Sequence, residues 1–154
     1  MIRPCVVLLL ILTWPPGMRS QPASVAESEV RKTLADFIKA FDNLDWDSFR
    51  SFFADDATVF YPREFPHRAD GRQEIERYFQ KVFDRIRAGQ AQAPYMDIQP
   101  QELRLQIAGE IAIATFHLDD RPGFLNRRTI VLQKQRSGWK IIHLHASEVA
   151  TTAH

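Results

Sequence analysis

From Val30 onward apolar residues recur at Val30, Leu34, Phe37, Ile38 and Phe41, a spacing that gathers one stripe on a helix and leaves Lys32, Asp36 and Lys39 to water. After the polar break Asp42-Asn43, Asp45 is placed to cap a second, short helix. Its face is aromatic: Trp46, Phe49, Phe52 and Phe53, with Asp55-Asp56 as the stop. The β-branched and aromatic run 57–61 predicts a strand that Pro62 ends, passing into an irregular loop through His67. Asp70-Gly71 then precedes Ile75, Tyr78, Phe79, Val82, Phe83 and Ile86, a third helix of about five turns at ~3.6 residues per turn, ending near Gly89. The Gln-, Ala- and Pro-rich stretch 90–94 predicts a linker.

Beyond Pro100 strands follow at 103–107, 111–118, 127–135 and 139–147. Their breaks, 108–110, 119–123 and Ser137-Gly138, are short enough for antiparallel neighbours. Helices first and a meander of strands afterwards predict an α+β domain with the helices on one face of a sheet. No internal repeat is visible.

The N-terminus is read apart from the fold. Arg3 precedes an apolar run from Cys5 to Leu12 that Trp14, Pro15 and Pro16 close, the pattern of a secretory signal peptide cleaved between 20 and 26. The run is far short of the ~18 apolar residues of a membrane span. The domain is therefore expected over 27–150 with a tail at 151–154, and the mature protein is expected to be secreted or periplasmic. Cleavage removes Cys5, the chain's one cysteine, and with it any disulfide, thiol nucleophile or thiolate-ligated metal. Lys and Arg number 20 against 19 Asp and Glu, and loss of Arg3 and Arg19 turns the formal charge from +1 to −1. Such a balance argues against nucleic acid as a partner and against a membrane surface after cleavage.

Four stretches carry a family likeness: Asp45-Trp46-Asp47-Ser48-Phe49, Phe53-Ala54-Asp55-Asp56-Ala57-Thr58-Val59, Gly71-Arg72-Gln73-Glu74-Ile75, and the closing Gly138-Trp139-Lys140-Ile141-Ile142-His143-Leu144-His145-Ala146-Ser147. Together they resemble the nuclear transport factor 2-like superfamily in its SnoaL-like and ketosteroid-isomerase-like branch. The closing stretch is also similar to the association (hub) domain of calcium/calmodulin-dependent protein kinase II. The resemblance implies a cone-shaped fold, a curved and mostly antiparallel sheet around about three helices, with an apolar pocket at the open mouth and a dimer through the sheet's outer face. Enzymes, ligand binders and assembly modules share this fold, so fold alone selects no reaction. Carried over by alignment, the isomerase general base falls at Tyr61, the oxyanion-donating tyrosine near Phe37 and the protonated aspartic acid near Ile130. The hub's pocket arginines fall at His117, Ile130 and Ala146.

Strand parity and this alignment set the remaining expectations. Trp139, Ile141, His143 and His145 share an expected outer face that packs on a second copy of the chain. His143, His145 and His117 also form a possible imidazole trio for zinc or copper, although His-x-His is a weak metal signal and the site is expected to hold no metal and no cofactor. The concave wall is expected to hold Ile113, Ile130, Leu132, Ile142 and Leu144, with Tyr61, His117 and Arg128 as converging polar groups and Trp46 and Phe79 as aromatic lining. An exported domain holding a small apolar or amphipathic molecule is the leading expectation. The alternatives are an isomerase, dehydratase or cyclase with a non-standard site, and a ligand-free assembly module.

Overall fold

The structure, a computed structural model, describes residues 24–61, 65, 67–89 and 92–151. The expected signal segment and tail lie outside them, save for 24–26 and Thr151. The element order is α1 (Val25–Asp42), α2 (Trp46–Ser51), β1 (Phe53–Phe60), β2 (Ala69–Asp70), α3 (Arg72–Gly89), β3 (Gln101–Ala108), β4 (Ile111–Arg121), β5 (Phe124–Gln135) and β6 (Gly138–Ala150). This is the expected α+β architecture. Six strands form one sheet in the order β2-β1-β6-β5-β4-β3, antiparallel throughout except for the parallel β1–β6 pair. No helix among the described residues is long and apolar enough to cross a membrane.

Local chemistry sets the boundaries. The Ser24 side chain accepts the Glu27 N–H at 3.1 Å and starts α1, and Asp45 Oδ1 accepts the Ser48 N–H at 3.2 Å and starts α2. The aromatic run expected to stay helical through Phe53 leaves the helix earlier. The Phe52 carbonyl accepts the Ile141 N–H at 2.8 Å, so β6 captures the chain and Phe53 opens β1 four residues before the expected strand. The following stretch of β1 is irregular, since the six residues from Phe53 to Thr58 run beside the three from Ile141 to His143. Arg72 covers this irregularity: its Nη2 donates to the Phe53 carbonyl at 2.6 Å and lies 3.0 Å from an Asp55 carboxylate oxygen. The sequence pattern did not predict β2, a two-residue strand that pairs Asp70 with Thr58 and Ala69 with Val59.

The core is dominated by phenyl rings. Phe49, nearly fully buried, is met by Phe79 at 4.8 Å between ring centroids, Phe83 at 5.0 Å, Phe37 at 5.3 Å, Phe53 at 5.4 Å and Phe41 at 5.6 Å. Stacked, tilted and edge-on pairs of this kind add to the burial of large apolar area. The cluster closes one end of the cone and joins all three helices to β1.

Two expected facings are corrected. Thirteen residues of β6 lie beside twelve of β5, because His143 pairs with Val131 and Ile141 with Leu132, leaving Ile142 as a bulge. A bulge breaks the two-residue alternation. Trp139 and Ile141, expected outside, are buried in the core with Leu144 and Ala146, whereas His143 and His145 do face outward. Ile142, expected on the concave wall, is the half-buried bulge residue. In β4 the buried set is Ala112, Ala114, Phe116 and Leu118, so Ile113 and His117, both expected inside, lie on the outer face with Thr115. The helices already fill much of the interior with rings, and β4 faces them with the small Ala112 and Ala114 beside Phe116 and Leu118.

Candidate functional site

Beyond the Phe49 cluster the cone holds a cavity of about 80 Å³. Helix α1 contributes Phe37, Ile38 and Phe41, and α2 and α3 contribute Phe49 and Phe79. The sheet wall is Phe116 and Leu118 from β4, Arg128 and Ile130 from β5, and Leu144 from β6. Met96 and Ile98 close it from the side, and Tyr61, just past β1, stands at its edge. Tyr61 and Arg128 are the lining residues with polar side-chain groups.

Register places Arg128 here. It pairs with Phe116 and Ala146, while Ile130 pairs with Ala114 and Leu144, so both side chains project from the same face of β5. The guanidinium carbon lies 5.8 Å from the centre of the Tyr61 ring, and Nη1 donates to the Arg127 carbonyl at 3.1 Å. The Tyr61 ring is itself held, tilted against Phe65 at 5.6 Å and edge-on to Phe79 at 5.3 Å. A planar cation thus meets an aromatic ring at the rim of an apolar space.

The rim is a strap without helix or strand, residues 94–100. Asp42 at the end of α1 holds it. The Asp42 carbonyl accepts the N–H groups of Tyr95 at 2.7 Å and Met96 at 3.2 Å, and its carboxylate accepts the Ile98 N–H at 3.1 Å. Burial raises the Asp42 carboxyl above the usual aspartate range, opposed by the bond from Ile98 and helped by the nearby Asp97 charge. Outside the strap runs a groove of about 390 Å³ that shares Met96, Ile98 and Leu118 with the cavity.

Tyr61, Arg128, Phe79, Ile130 and Leu144, all singled out in the sequence, come together in this cavity. Trp46 stands behind the lining, tilted against Phe49 at 6.2 Å and edge-on to Phe83 at 5.5 Å. Leu132 is fully buried away from the cavity. His117 is on the opposite face, its Nδ1 3.9 Å from Glu102, and joins neither the cavity nor the other histidines. It is separated from β6 by all of β5. Among the described residues no three metal-ligating side chains gather. Sequence parity missed Phe116 and Leu118, although the alternation of β4 carries them, and Met96 and Ile98 sit in a strap that has no periodicity to read.

On the outer face the His143 Nδ1 and the Thr58 hydroxyl are 2.8 Å apart, and Phe60 lies 5.6 Å from the His145 ring. Burial lowers the His143 pKa, and the neighbouring His145 and Arg68 charges add to the shift.

The alignment-based positions for isomerase chemistry do converge: Tyr61, Phe37 and Ile130 all line the one cavity. None of the three is a carboxylic acid, and the described lining contains neither a carboxylate nor an imidazole.

Comparison with known proteins agrees with this fold. The SnoaL-like domain family matches residues 30–152. No curated protein matches the chain by sequence. Among solved structures, a candidate dehydratase of the NTF2-like family from Streptomyces avermitilis superposes with a TM-score of 0.66 at 20% identity, over 80% of this chain and 96% of that one. An NTF2-like protein of unknown function from Pseudomonas putida KT2440 gives 0.65 at 23% identity, over 79% and 85% of the two chains. The S. rosetta CaMKII hub gives 0.62 at 24% identity, over 86% of this chain and all of the hub chain.

Proposed function

The chain belongs to the SnoaL-like family, and from that premise we propose that it is an exported domain that binds a small apolar or amphipathic molecule in its cone. One observation carries this reading: an apolar cavity whose described lining offers polar side chains at one place, where Arg128 meets Tyr61. Small-molecule sites combine an apolar body with a few placed polar groups in this way. The cavity alone is small beside the roughly 300 Å³ of a typical ligand pocket. The groove outside the strap, about 390 Å³, shares Met96, Ile98 and Leu118 with it, and the two together exceed that size. Proton-transfer catalysis of the ketosteroid-isomerase kind has less support, because it needs a carboxylate or imidazole within reach of the substrate carbon.

Export rests on the N-terminal pattern. A cut before Ser24 preserves the α1 cap, whereas a cut after Ala26 removes it. The outer sheet face is the proposed meeting surface for a second copy, with Ile113, Val131 and Phe60 as its apolar part and His143 and His145 beside them. The small enclosed volume also favours a second reading, a self-assembling module like the hub.

Native mass spectrometry of protein secreted by its exporting host tests these together. The binding reading expects a dimer that carries an added small-molecule mass, each chain beginning between Gln21 and Glu27. A ligand-free oligomer favours the assembly module, and a chain still beginning at Met1 overturns export.

A further inference from the structure

Resting on the reading of the cone as a binding site, we propose that its ligand is a monocarboxylate, gripped side-on by Arg128 with its apolar body directed toward Phe41, Phe79 and Ile130. The argument begins with what the guanidinium already does. Nη1 is engaged by the Arg127 carbonyl, and one face of the group lies against the Tyr61 ring. Among the described residues no carboxylate is paired with Arg128, and its Nε–Nη2 edge has no hydrogen-bond partner there. That edge presents two parallel N–H groups, the fork that matches the two oxygens of a carboxylate.

Charge and shape narrow the class. One guanidinium neutralises one negative charge, and the other described residues of the lining supply no second cation. A phosphate monoester would carry surplus charge into an apolar cavity, which is costly. The cross-strand neighbours of Arg128 are Phe116 and Ala146, and the short Ala146 side chain leaves room beside the guanidinium. The rings of Phe41 and Phe79, edge-on to each other at 6.3 Å, favour an aryl or compact branched body over a long extended chain.

The test compares two uncharged-or-charged twins, 3-phenylpropanoate and 3-phenylpropanamide, by calorimetric or NMR titration at neutral pH. The unsubstituted protein is expected to bind the acid at least about tenfold more tightly than the amide. Arg128→Gln is expected to erase that preference, weakening the acid at least about tenfold more than the amide. Equal affinity for acid and amide in the unsubstituted protein, which needs no variant to fold, overturns the carboxylate assignment and leaves the cavity as a binding site. So does a preference that survives in Arg128→Gln. Binding of neither probe up to its solubility limit overturns the cavity reading itself, and this assignment with it.

Discussion

At the closed end of the cone, Phe49 is surrounded by six other rings drawn from three helices and a strand. At the mouth, Met96 and Ile98 reach the same cavity from a strap that Asp42, at the end of α1, holds by hydrogen bonds to Tyr95, Met96 and Ile98. Both regions are apolar, yet they are held differently. The closed end is fixed by side-chain packing distributed over many partners, so no small movement is cheap. The mouth is fixed by a few directional bonds, and each is worth only about 1 kcal/mol net because water replaces it on opening. A ligand therefore meets a rigid floor and a rim that yields.

Four substitutions test that contrast. Phe49→Ala removes the ring at the centre of the closed end and is expected to cost about 3 to 5 kcal/mol of unfolding free energy, measured by urea denaturation. A loss below about 1 kcal/mol would mean that the aromatic cluster is not the anchor described above.

Ile98→Ala acts at the rim, where the side chain is half-buried. A loss of about 1 kcal/mol is expected, with faster hydrogen exchange at Tyr95 and Met96 and none at the Phe49 cluster. Exchange that quickened at both ends alike would show one cooperative unit in place of two.

The smallest effects come from the two carboxylates near opposite ends of α1, and their signs should differ. Glu29 accepts from Lys134 Nζ at 2.5 Å and from Trp139 Nε1 at 3.1 Å, and these bonds hold its carboxyl below the usual glutamate range. Its contribution is present above the ordinary glutamate pKa and fades as pH falls through the lowered native value. Asp42 is raised, so the native state holds its proton more tightly than the unfolded chain does. Stability from this group is greatest in acid and declines as pH rises through the raised value. Melting temperatures of Glu29→Gln and Asp42→Asn across pH 3 to 7 check the pair. The deficit of Glu29→Gln should shrink on acidification, while Asp42→Asn, which keeps a carbonyl acceptor for Ile98, should compare best with the unsubstituted protein at neutral pH. Matching pH trends would contradict the opposed environments.

The same contrast explains what the sequence made legible. Helices α1 and α3 announce themselves by periodicity, Asp45 caps α2 as its position suggested, and parity along β5 correctly turned Arg128 and Ile130 inward. Repeating local patterns wrote those features. His117 and Ile113 were misplaced because β4 alternates two sets, and larger Ile113 looked like the core member although Ala112 and Ala114 are the ones enclosed. That choice depends on how much room the helical rings leave, which no window of β4 contains. Trp139 and Ile141 were misplaced for another reason: alternation was extended unbroken through β6, and nothing in Ile141-Ile142-His143 marks which residue drops out of the ladder. The rim was invisible because Met96 and Ile98 owe their positions to Asp42, more than fifty residues earlier in the chain.

The extra residue in β6 has a consequence for how the chain tolerates changes of length. On either side of Ile142 the strand keeps its own strict order, Trp139 and Ile141 inward before it, Leu144 and Ala146 inward after it. With Ile142 excised, Ile141 and Leu144 would be separated by His143 alone, and every remaining side chain would keep its side of the sheet. Loss of one residue inside either flank would instead turn a stretch of that strand over, sending histidines into the core and apolar side chains into water. A strand that reads as thirteen letters therefore behaves as two frames joined at a hyphen, and the hyphen is where a shortened descendant of this chain would be cut.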